Sequence, residues 1–104
     1  MNISIVAASH RPRSQSQRIS NILQLTLKRL EPTLDLFSLD LGDVSLPLWS
    51  PKKKDGDGIW GETWKSISYN LNKSDCFIFI VPEYGGMATP SAKNLFLLCS
   101  EGEL

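Results

Sequence analysis

The chain has few of the groups used for thiol, metal or nucleophilic chemistry. It contains one histidine, His10, and two cysteines, Cys76 and Cys99. A single imidazole excludes a histidine-rich zinc site. Neither cysteine belongs to a CxxC pair, so two reduced, buried thiols in a cytoplasmic protein are expected, not a disulfide or a metal centre. An excess of charge of one sign is also missing, because eleven basic and eleven acidic residues cancel. That balance argues against a general nucleic-acid or polyanion binder, which carries a basic surplus. No apolar run approaches the roughly 20 residues of a membrane-spanning helix. The N-terminus opens on strand-like sequence without the layout of a signal peptide. Two glycine signatures are absent as well, the P-loop (GxxxxGK followed by Ser or Thr) and the GxGxxG of dinucleotide folds. No internal repeat or low-complexity segment is visible.

What remains is an ordinary globular composition, 104 residues with 41% hydrophobic, enough for one small domain with a core. Asn2–Ala7 is a short apolar run of the kind that forms a strand buried on both faces. From about 16 to 30 the period changes, and Ile19, Ile22, Leu23, Leu27 and Leu30 fall on one helical face before Pro32 stops the helix. Residues 33–38 suggest a second strand, with alternation at Leu34, Leu36 and Leu39. Residues 40–58 form a long connection punctuated by Asp, Pro and Gly, in which Leu46-Pro47-Leu48-Trp49 is too apolar for a purely solvated loop. The lysines at 52–54 are expected to form a solvated tip. Trp60, Trp64, Ile67 and Leu71 then mark a helix over about 59–73, the tryptophans serving as core. The most hydrophobic stretch, 76–81, is a third strand. Thr89-Pro90 is a good helix start, with Ala92, Leu95, Phe96 and Cys99 expected inward.

The order β-α-β-loop-α-β-α predicts an α/β fold, an open parallel sheet with helices on both faces. With strand order 2-1-3, ligands are expected beyond the carboxyl ends of the first and third strands, where the order reverses. Two unusual loops flank that place. The first, 8–17, carries Ser9, Arg11, Ser14, Gln15 and Ser16 just ahead of a helix. Helix-start N–H groups, hydroxyls and a guanidinium suit a dianion, and the lack of glycine favours a terminal monophosphate over a pyrophosphate. Ser14 or Ser16 would equally serve as a helix cap. The second loop is Pro82-Glu83-Tyr84-Gly85-Gly86-Met87-Ala88-Thr89. Its glycine pair allows close approach to a flat ligand or positive φ, Tyr84 offers a ring and a hydroxyl, and Glu83 would orient the loop or accept hydrogen bonds. A tight strand-to-helix turn would account for the glycines equally well.

Ser9-x-Arg11-x-x-Ser14-x-Ser16, Leu46-Pro47-Leu48, Pro82-Glu83-Tyr84-Gly85-Gly86 and Lys93-Asn94, in that order, resemble the NADPH-dependent FMN reductase family of flavodoxin-like proteins. The resemblance implies that Ser9, Arg11, Ser14, Gln15 and Ser16 embrace the FMN phosphate. It implies that Pro82, Glu83, Tyr84, Gly85, Gly86 and Met87 run beside the isoalloxazine ring. It further implies an oxidoreductase that passes electrons from NADPH or NADH through FMN to a flavin, quinone, azo compound or metal oxyanion, with no catalytic acid, base or nucleophile from the protein. The Leu-Pro-Leu region is implied in subunit contact, hence a homodimer or homotetramer. Ala8 stands where the family has glycine. The family domain runs further than residue 104, so the chain is expected to be the N-terminal part of a single flavodoxin-like domain. An apolar third-strand edge and weak or absent FMN binding by the isolated chain are expected to follow. A non-catalytic flavin-binding module or electron carrier, and an inactive dimerising remnant, are the alternatives.

Overall fold

The computed structural model describes residues 1–50, 61–99 and 104. Six elements follow in chain order: β1 (Asn2–Ala7), α1 (Gln15–Leu30), β2 (Asp35–Asp40), α2 (Gly61–Asn72), β3 (Cys76–Ile80) and α3 (Pro90–Leu98). The strands form one parallel sheet in the order β2-β1-β3. The α/β class, the element order and the 2-1-3 sheet agree with the pattern read from the sequence. β1 lies between the other two strands, which explains why it is nearly all buried from Ile3 onward.

Side-chain alternation divides the sheet into two faces. Val6, Phe37, Leu39, Phe77 and Phe79 meet Trp64, Ile67 and Leu71 of α2 and Ala92, Leu95 and Leu98 of α3 in the main core. The helix α1 covers the other face, where Gln24 Nε2 donates to Ser38 Oγ at 2.9 Å. Core tryptophan at Trp64 is as the spacing predicts. Trp60 and the lysines at 52–54 lie outside the described residues.

Four details differ from the sequence expectation. The second strand begins at Asp35, not at 33, because pairing starts where β1 supplies a partner: Asn2 lies opposite Asp35, and Asp35 N donates to Met1 O. Of the expected α1 face, Ile19, Ile22 and Leu30 are exposed, while Ser16 and Ser20 are buried. Cys76 is exposed, not buried, because it opens β3, which pairs with β1 alone among the described residues; Cys99 is partly buried against the core. Phe96 is 45% exposed, since Ala92, Leu95 and Leu98 form the inward stripe and Phe96 flanks it, edge-on to Phe79 at 5.2 Å. Among the described residues no helix is long and apolar enough to cross a membrane.

Candidate flavin-phosphate site

The sheet order reverses beside β1, and the loops that leave β1 and β3 there carry the candidate residues. The first loop continues the ladder for one residue, with Ala8 N donating to Ile80 O at 2.9 Å. Ser9 is therefore buried, 1% exposed, yet its hydroxyl is well used. Ser9 Oγ accepts from Arg11 N at 3.3 Å and lies 3.0 Å from Tyr84 Oη. The chain then turns through Arg13 at φ 51°, a left-handed conformation that a non-glycine residue adopts at a cost of about 1 kcal/mol or more.

Ser14 follows in extended conformation and caps α1, its Oγ accepting from Gln17 N at 3.1 Å. Ser14 is thus the cap and Ser16 is not. Ser16 lies in the first turn with its side chain turned into the protein. Gln15 is exposed, and its Oε1 accepts from Arg18 Nη1 at 3.3 Å. The first-turn N–H groups of α1 have no intrahelical acceptor and add the positive end of the helix dipole. The side chains of Arg11, Arg13 and Arg18 are exposed around this helix start.

The second loop is a tight reversal. Tyr84 and Met87 exchange backbone hydrogen bonds at 2.9 and 3.2 Å, and Gly85 and Gly86 between them have φ of 62° and 82°. Positive φ at both central positions is the mark of a type I′ turn, which selects glycine by conformation. Space is not the reason, since an added Cβ at either glycine meets nothing within 4 Å. Glu83 fixes the turn by accepting from Gly86 N through Oε2. Pro82 is half-buried at the strand end, and Met87 is 61% exposed.

The two loops are tied together at three points. Tyr84 Oη reaches Ser9 Oγ, and the His10 and Tyr84 rings meet edge-to-face with centroids 5.7 Å apart. Thr89, wholly buried, donates from Oγ1 to Ala8 O at 2.6 Å while accepting from Ala92 N at 3.1 Å as the cap of α3. Sequence reasoning found the cap but not the tie to Ala8. It also missed the left-handed Arg13, for which the sequence carries no signal.

A cavity of about 520 Å³ opens between His10 of the first loop, the connector after β2 and the start of α3. Its walls include His10, Leu41, Val44, Leu46, Leu48 and Asn94, and none of the candidate flavin-binding residues lines it. Asn94 holds its rim, donating to Pro47 O at 2.9 Å and accepting from Trp49 N at 2.8 Å.

Hydroxyls, exposed guanidinium groups and a helix start suit a phosphate monoester, and the adjoining glycine turn leaves a surface free of side chains for a planar ring. The donor set fits FMN. Among the described residues there is no cluster of three or more His, Cys, Asp or Glu side chains for a metal.

Comparison with known proteins bears on the fold and on the family. Solved structures include 14 matching chains. One of them, azoreductase AzrA, superimposes with a TM-score of 0.65 at 17% identity, over 94% of this chain and 55% of the azoreductase chain. At that identity the likeness speaks for the fold alone, and this chain spans about half the azoreductase's length. Among curated proteins none matches. The family model for NADPH-dependent FMN reductase matches residues 1–104, the whole of the chain. The protein belongs to the NADPH-dependent FMN reductase family.

Proposed function

We propose that this chain carries the phosphate-binding and ring-binding loops of an FMN-dependent NAD(P)H oxidoreductase, and that residues 1–104 are the N-terminal part of its flavodoxin-like domain. The observation that carries the reading is the contact between Ser9 Oγ and Tyr84 Oη at 3.0 Å, which joins the two loops at the switch point. Bound FMN would supply two-electron redox chemistry between NADPH or NADH and a small-molecule acceptor such as a flavin or a quinone.

The chain's own residues hold and orient. Ser14, at the helix start, can donate its hydroxyl proton to a phosphate oxygen while still accepting from Gln17 N, and the buried Ser9 holds the loop through Arg11 N and Tyr84 Oη. Gln15 and Ser16 act through the helix-start N–H groups, because the Ser16 side chain is buried. Arg11 adds a full positive charge. The 82–87 loop offers the ring a face without side chains at Gly85 and Gly86, bounded by Pro82, Tyr84 and Met87, with Glu83 holding the turn. Leu48, 82% exposed on the Leu46-Pro47-Leu48 segment, is an apolar surface suited to contact between copies in a homodimer or homotetramer.

The test is a fluorescence titration with flavin held at low concentration and protein raised. FMN is expected to bind more tightly than riboflavin, about 10-fold or more for a site whose charged contacts go to the phosphate. The absolute affinity should be weak, because the chain spans only 55% of the azoreductase's length and the ring contacts come from one loop. Equal affinities for the two flavins would contradict the phosphate site. NADPH oxidation with FMN and a quinone, above the rate without protein, would assign catalysis to this chain. FMN binding without such oxidation would favour the flavin-binding module.

A further inference from the structure

We infer that Gly42, in the connector after β2, is the positioning residue that sets the backbone of the phosphate loop; this rests on the reading of residues 9–16 as that loop. A Cβ built on Gly42 would fall 2.3 Å from Arg11 O, 2.9 Å from the Arg11 carbonyl carbon and 3.1 Å from Ser9 O. All three are backbone atoms of the first loop, so no side-chain rotation relieves the clash. Gly42 is not among the residues with positive φ, so its conformation would suit other residues. Space alone makes glycine necessary here, the reverse of Gly85 and Gly86.

The connector cannot easily retreat. Leu41 N donates to Ala7 O at 3.0 Å, and Leu41 is buried in the core. Asp40 then closes a turn around Gly42: its Oδ1 accepts from Gly42 N at 3.0 Å, and its carbonyl accepts from Asp43 N at 3.0 Å and from Val44 N at 3.2 Å. Gly42 is therefore delivered to a fixed place against the carbonyl side of the first loop. Carbonyl oxygens repel a phosphate. With Ser9 O and Arg11 O packed against a residue that has no side chain, both are kept off the anion. The Ser9–His10 peptide is trans, so the His10 N–H is directed away from Gly42.

The experiment compares FMN and riboflavin affinities in wild type, Gly42→Ala and Asp40→Ala by the same protein-excess fluorescence titration. Gly42→Ala is expected to weaken FMN about 10-fold and riboflavin less than about 2-fold, because the loss falls on the phosphate contacts. Asp40→Ala adds no atom and only frees Gly42 N, so it should fold where Gly42→Ala does not. It is expected to lower the FMN-to-riboflavin preference about 3-fold, the worth of one hydrogen bond. General damage to the fold would lower both affinities together. If wild type prefers FMN and folded variants keep that preference unchanged, the role of Gly42 is overturned and the phosphate site stands. If wild type shows no preference for FMN, the phosphate site fails and the role of Gly42 fails with it.

Discussion

The two faces of the sheet share one apolar vocabulary and use it differently. On the face covered by α2 and α3, Leu71, Leu95 and Leu98 are wholly excluded from solvent, and Trp64 and Ile67 are nearly so. On the α1 face, Ile19, Ile22, Leu25 and Leu30 are 52–75% exposed, while the small residues Ser16 and Ser20 are buried. Gln24 bridges Ser20 and Ser38 through one amide, so part of this contact is polar. α1 follows the loop that leaves β1, so its positive end stands at the switch point, while the larger apolar residues of α1 are exposed. One face is built for cohesion. The other holds the start of α1 where an anion can meet it.

Substitutions on the two faces should therefore separate widely. Leu95→Ala empties a wholly buried position and should cost about 2–5 kcal/mol, read by denaturant unfolding, enough to unfold much of a small domain. Thr89→Val removes the cap of α3 and the tie to Ala8 O and leaves that buried carbonyl poorer by a donor, an expected loss of about 1–3 kcal/mol by the same assay. Ser14→Ala removes the α1 cap and should cost about 1 kcal/mol, and its hydroxyl's absence should also weaken FMN more than riboflavin. Ile22→Gln, on the exposed side of α1, should change stability by less than about 0.5 kcal/mol. A loss from Ile22→Gln as large as that from Leu95→Ala would break the contrast between the faces.

The fold was largely legible because strand and helix periods, Pro32 and the Thr89-Pro90 start are local signals. Which stripe of α1 meets the sheet was not. Periodicity marks the apolar stripe, and of it only Leu23 and Leu27 are partly buried, beside the buried Ser16 and Ser20, while Ile19, Ile22 and Leu30 are exposed. The start of β2 was misread for a similar reason, since it depends on where β1 begins. At the candidate site the hydroxyls and glycines were visible as residue types, and the type I′ turn follows from the Gly85-Gly86 pair. The Ser9–Tyr84 and Thr89–Ala8 contacts join residues 75 and 81 positions apart, and no local pattern announces them. Gly42 was hidden as well, because it looks like ordinary loop punctuation until the carbonyl of Arg11 is seen against it.

The central claim is that the loops after β1 and β3 form one flavin site. Backbone amide shifts of isotopically labelled protein during an FMN titration test it most directly. The account predicts that amides in 9–17 and 83–89 move together along one binding curve, with Val44, Leu46 and Asn94 of the cavity between the β2 connector and α3 little affected. Shifts confined to that cavity around Val44, Leu46 and Asn94, or to one loop with the other unmoved, would contradict it.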